Sequence, residues 1–175
     1  MVKKIVIVIV ILIAAFLAYA AIQPDTYRVE RAASITAPPE KIFAHINDLH
    51  SWGAWSPWEK VDPAMKRTFS GAESGKGAVY EWEGNSDVGK GRMEIAESSL
   101  PSKVVLNLHF LEPFEGQSTA EFTLEPTGDS TNVTWTIHGA NDYVSKVIGV
   151  FVSMDKMIGG NFETGLANLK TIAEK

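Results

Sequence analysis

A chain of 175 residues holds one domain with a substantial core and is short for two. Its composition, 45% hydrophobic and 21% charged, is that of a globular protein and excludes wholesale disorder. A net charge of -5 argues against a nucleic-acid binder, which needs a basic face, and the lack of cysteine excludes disulfides, thiolate metal sites and a cysteine nucleophile.

Residues 1–26 read as a membrane anchor and linker. Ile5 to Ile22 is an apolar run of 18 residues behind Lys3 and Lys4. At 1.5 Å per residue it spans about 27 Å, close to the roughly 30 Å hydrocarbon core of a bilayer. Two readings stand: a retained single-pass anchor, or a signal peptide cut near Ala20, since Ala18-Tyr19-Ala20 matches a small-x-small processing site. The anchor is favoured, because the apolar stretch continues through Ile22 and exceeds the usual signal core of about 7–15 residues. Lys3 and Lys4 then hold the N-terminus in the cytoplasm and make the C-terminal domain extracytoplasmic. Gln23-Pro24-Asp25 ends the helix.

Residues 27–175 read as one domain. Tyr27, Val29, Arg31 and Ala33 share one face of a first strand that ends at Ile35. Thr36 is placed to cap a short helix begun by Pro38-Pro39-Glu40, with Ile42, Phe43 and Ile46 as its buried stripe. A second short helix or turn covers Leu49 to Trp52. Six strands follow, at Met65–Phe69, Gly77–Glu83, Gly89–Glu97, Lys103–Leu111, Gln117–Glu125 and Asn132–Gly139, separated by Gly- and Pro-bearing turns. In the last three, apolar and polar residues alternate, which predicts a sheet with one dry face and one wet face. Apolar residues from Val144 to Ile172 recur at helical spacing, and Gly159-Gly160 predicts a kink or break there, with Asn161 available to cap the second half. Two glycines packed tightly against the sheet are the alternative. This order fits an α+β fold: a curved antiparallel sheet of about seven strands around a long C-terminal helix.

The segments Ser34–Phe43, Asp48–Trp52, Trp55–Trp58 and Asn161–Lys170 resemble the START-like, helix-grip (SRPBCC) superfamily. That superfamily joins polyketide cyclases, lipid-transfer domains and pollen-allergen-type ligand carriers. The tryptophan segment is similar to a membrane-anchored subgroup. The resemblance covers Tyr27 to Lys175 and implies a deep apolar cavity between sheet and long helix, with no universal catalytic motif.

Four of the five tryptophans, Trp52, Trp55, Trp58 and Trp82, fall within about thirty residues, with Tyr80 beside Trp82. They either line a cavity mouth or plug one end of the sheet as core. Met65, Met93, Met154 and Met157, with Phe110, Phe114, Phe151 and Phe162, supply an adaptable apolar wall or an ordinary core. The candidate ligand-binding set is Trp52, Trp55, Trp58, Tyr80, Trp82, Met93, Phe110, Trp135, Phe151, Met154 and Ile158.

His45, His50, His109 and His138 lack metal-ligand spacing, and His109 and His138 are out of phase with the apolar residues of their strands. No catalytic set, metal or cofactor is expected. The expected partners are the bilayer, through Ile5–Ile22, and a small hydrophobic ligand. The leading expectation is a membrane-anchored carrier for a lipid-like molecule. Its rivals are a cyclase or hydrolase with an inward group such as His109, His138 or Glu81, and an interaction module whose own side chains fill the cavity.

Overall fold

A computed structural model describes residues 2–175. The apolar run forms α1 (Val2–Ala21), long and apolar enough to cross a membrane and exposed along nearly its whole length. Pro24 stops it, and β1 (Thr26–Ile35) begins at once, with Val29 and Ile35 buried and the residues between alternating outward. Next come α2 (Pro39–Asn47), a 3₁₀ turn over Leu49–Ala54 and α3 (Trp58–Val61). Thr36 does not cap α2. The helix starts at Pro39, whose missing N–H costs nothing at a first turn, and the Thr36 N–H instead donates to Glu174 at the chain's far end, 2.7 Å away.

The strands β2 (Lys66–Gly71), β3 (Ala78–Glu83), β4 (Lys90–Ser99), β5 (Lys103–Glu112), β6 (Gly116–Thr127) and β7 (Ser130–Ala140) form an antiparallel meander. With β1 they make one seven-stranded sheet of order β1-β7-β6-β5-β4-β3-β2. Register follows the alternation: Phe122 lies opposite Val104 on one side and Trp135 on the other, and all three point into the core. Bulges in the β4–β5 ladder at Lys90/Gly91 and Ile95/Glu97 sharpen the curl of the sheet. At Gly91, Trp82 of the neighbouring strand lies so close that a Cβ would come within 2.3 Å of its ring, so only glycine admits the indole.

The C-terminal apolar run is two helices, α4 (Tyr143–Gly149) and α5 (Met154–Ala173), and the break falls at Val150–Ser153 rather than at Gly159-Gly160. Capping explains the position. Asp142 accepts from the Ser145 N–H at 2.7 Å and Ser153 accepts from the Lys156 N–H at 3.4 Å, so each helix has its own start. Asn161 lies inside α5 and caps nothing. Gly159 is kept small by Arg31 of β1, whose guanidinium would meet a Cβ at 2.3 Å. Arg31 there binds Asp155 and Glu163, each at 2.7 Å, and pins the first half of α5 to the sheet. Gly160 meets nothing within 4 Å, so of the two glycines only Gly159 has a packing reason.

Candidate functional site

The core does not fill the space between sheet and helix evenly. Toward the C-terminal end of α5, Ile42, Ile46, Leu49, Trp55, Phe122, Phe162, Leu166 and Leu169 are packed with almost no accessible surface. The indole N–H groups of Trp52 and Trp55 donate to the Ile46 and His45 carbonyls at 2.9 and 3.1 Å, and Asn168 of α5 donates to the Trp55 carbonyl at 3.0 Å. Trp135 stacks on Phe162 with ring centres 4.0 Å apart, and the absent side chain of Gly165 leaves room for its edge. This end is plugged.

The other end is hollow. A cavity of about 930 Å³ opens between the curled sheet, α3, α4 and the first half of α5. Its volume lies at the upper end of the range of ligand pockets. Nine of the eleven candidate residues line it: Trp52, Trp58, Tyr80, Trp82, Met93, Phe110, Trp135, Met154 and Ile158. Two do not. Trp55 is fully buried in the plug, and Phe151 projects outward from the α4–α5 connection, 74% exposed, with its ring 5.4 Å from that of Phe16 in α1. The tryptophan cluster therefore divides, Trp55 serving as core and Trp58 and Trp82 as wall, with Trp52 touching both.

The wall also includes polar groups. Glu59 of α3 is turned inward with its side chain 9% exposed. One of its oxygens accepts from the Tyr80 hydroxyl at 2.6 Å, and the other accepts from Arg67 Nε at 2.6 Å. Burial and the bond to Glu59 both push the Tyr80 phenol well above its ordinary range, and Glu59 holds Arg67 more firmly protonated. A charge-assisted pair in a largely apolar wall is a fixed polar point. A second lies across the cavity, where the Tyr27 and Ser118 hydroxyls are 2.6 Å apart and burial raises the Tyr27 phenol. Tyr27 was legible from strand phase, whereas Glu59 sits in a four-residue helix too short to show a period.

His138 and Glu81 are exposed on the outer face of the sheet, and His109 bonds the exposed Glu115 at 3.3 Å; none of the three lines the cavity. Such an arrangement can bury the apolar body of an amphipathic molecule and offer two hydrogen-bonding points to a polar end.

Curled sheet, gripping helix and hollow half together define a START-like helix-grip domain of the hydrophobic-ligand-binding, cyclase-like class. The chain belongs to the polyketide cyclase / dehydrase and lipid transport family, whose sequence model matches residues 26–174. No curated protein matches it. Among solved structures it is similar to ginseng major latex-like protein 151 from Panax ginseng, with 11% identity, a TM-score of 0.59, and coverage of 87% of this chain and 100% of that one. It is also similar to the Aha1 dimer from Colwellia psychrerythraea, with 18% identity, a TM-score of 0.59, and coverage of 85% and 96%. A protein from Nitrosospira multiformis matches with 16% identity, a TM-score of 0.60, and coverage of 84% and 96%. At these identities the likeness is one of fold.

Proposed function

We propose that this protein is a membrane-anchored carrier for a small hydrophobic or amphipathic, lipid-like ligand held in the cavity. Residues 1–26 serve as anchor and linker, and residues 27–175 as an extracytoplasmic binding domain. The observation that carries the reading is the open cavity of about 930 Å³ with aromatic and methionine walls. It argues against a module filled by its own side chains. Retention of the anchor, rather than cleavage near Ala20, is supported by the contacts its last turns make with the domain: Tyr143 donates to the Leu17 carbonyl at 3.1 Å, and Ala20 is buried. Lys3 and Lys4 support a cytoplasmic N-terminus.

The test is native mass spectrometry of the detergent-extracted full chain, followed by solvent extraction of whatever it carries. A near-stoichiometric apolar molecule is expected, and it is lost from Ala120→Phe, which fills the centre of the wall. A wild-type chain that is empty and takes up no fluorescent fatty acid or sterol overturns the proposal. The buried Glu59 favours one second reading, a cyclase-type enzyme on a hydrophobic substrate. That reading requires a modified product that disappears in Glu59→Gln while ligand uptake persists.

A further inference from the structure

Five exposed apolar side chains of the domain fall together. Val144 and Ile148 of α4, Val152 of the connection, Met157 of α5 and Phe114 of the β5–β6 loop are all exposed, Val144 by 59% and Phe114 by 69%. Every one of them also lines the cavity, so together they form its rim. A contiguous apolar rim of this kind marks a surface that is covered in use.

What covers it follows from where α1 meets the domain. α1 touches α4 through its last turns, with Phe16 against Phe151 at 5.4 Å and the Leu17 carbonyl bonded to Tyr143. Lys146 of α4 pairs with Asp25, and the Asn141 N–H donates to the Asp25 carbonyl at 2.8 Å, so the junction between helix and domain is tied rather than free. Phe16 lies five residues before Ala21, the last residue of α1. At 1.5 Å per residue this contact is about 7.5 Å inside the end of the apolar helix. Interfacial elements sit about 5–10 Å into the headgroup and acyl boundary. A bilayer that surrounds α1 therefore reaches α4 and Phe151 as well. Tyr143, with an apolar ring and a polar hydroxyl, suits the same depth.

We infer that the cavity rim is itself embedded in the bilayer surface, so that the mouth opens directly into lipid and the ligand passes between membrane and cavity without crossing bulk water. This rests on the anchored-carrier reading and adds the route. The rim also specifies the surface. Asp87, Glu112, Glu115 and Asp142 line it, while its one lysine, Lys146, is already paired with Asp25. An acidic rim is repelled by anionic headgroups, so contact is hydrophobic and favours zwitterionic lipid.

The chain has no cysteine, so single labels are clean. The full chain carrying Val144→Cys, Phe114→Cys, Ile9→Cys or Leu100→Cys is nitroxide-labelled and reconstituted into phosphatidylcholine vesicles. Accessibility to oxygen and to a water-soluble relaxant is then read for each. Leu100 is 68% exposed in the β4–β5 turn, at the opposite end of β5 from the β5–β6 loop, and serves as the aqueous control. All four positions are exposed, so folding is not at stake. Lipid-immersed labels at 9, 114 and 144 with an aqueous label at 100 are expected, unchanged by added salt and shallower when phosphatidylglycerol replaces part of the lipid. Aqueous labels at 114 and 144 with an immersed label at 9 overturn the embedded rim and leave the anchor standing. An aqueous label at 9 overturns the anchor. Labels at 114 and 144 that are aqueous in pure vesicles but shielded in native membranes assign the rim to a protein partner and also overturn the inference.

Discussion

The two ends of the sheet are built from the same strands and roofed by the same helix, yet one is solid and the other hollow. In the solid end, small residues admit large ones: Gly165 makes room for Trp135, which stacks on Phe162 and Phe122, and Trp52 and Trp55 wedge in from the 3₁₀ turn. In the hollow end α4 joins the first half of α5 over the sheet, and large side chains such as Trp58, Trp82 and Phe110 touch side by side along the wall, Trp82 edge-on to Phe110 at 6.0 Å, around an open space. Close packing is therefore concentrated in one half of the domain and open space in the other.

The largest expected effect tests that division directly. Trp55→Ala empties the solid end and should cost about 3–5 kcal/mol in urea unfolding, as large core truncations do. Met93→Ala on the cavity wall loses mainly transfer energy, about 1–2 kcal/mol, because it widens a space that already exists. Equal costs for the two would erase the distinction between the ends. Next, Gly165→Ala places a Cβ 2.8 Å from the Trp135 ring and 3.1 Å from Pro57. Overpacking should destabilise by about 1–3 kcal/mol despite the better helix former, and a neutral result would mean the plug is looser than its geometry. Gly160→Ala, five residues earlier on the same helix, meets nothing within 4 Å and should stabilise by about 0.5–1 kcal/mol, read as a higher denaturation midpoint.

The smallest effect is on pH. His45 lies on α2 above the plug, where burial and Lys41 lower its pKa below the ordinary 6.5. Folding then favours the neutral ring. Its contribution is complete above about pH 6.5 and declines as pH falls from there through the lower folded-state value. The urea midpoint should drop slightly between pH 7.5 and 5.5, and His45→Gln should flatten that slope. The carboxyls of Asp155, held by Arg31, and Glu174, held by the Thr36 N–H, have lowered pKa values, so their contributions stay complete across this range and are lost only at more acid pH. A slope that survives in His45→Gln would assign it to another group.

How much of this was legible in the residues depends on the range of the interactions involved. The alternation of Ala120, Phe122 and Leu124, and of Val133, Trp135 and Ile137, established strands, faces and therefore the dry side, because strand phase is local. The eleven candidate residues were chosen by type and phase, and nine line the cavity. Trp55 and Phe151 do not, since a side chain's phase says that it points inward or outward without saying whether it meets a neighbour there. The helix break was misplaced for a related reason. Gly159-Gly160 carries a strong local signal against helix, but Arg31, more than a hundred residues away, needs the space that Gly159 leaves. The inward turn of Glu59 could not be read locally, because it depends on Tyr80 and Arg67 arriving from two strands.

The sequence by itself determined the N-terminal apolar helix, the seven strands, the dry face of the last three and the family, since each rests on periodicity, run length or contiguous motif. The tertiary structure alone decided which tryptophans plug and which line, where the gripping helix breaks, and that α1 docks beside the mouth of the cavity. Those outcomes depend on curvature and on contacts between residues far apart in the chain, which no local pattern encodes.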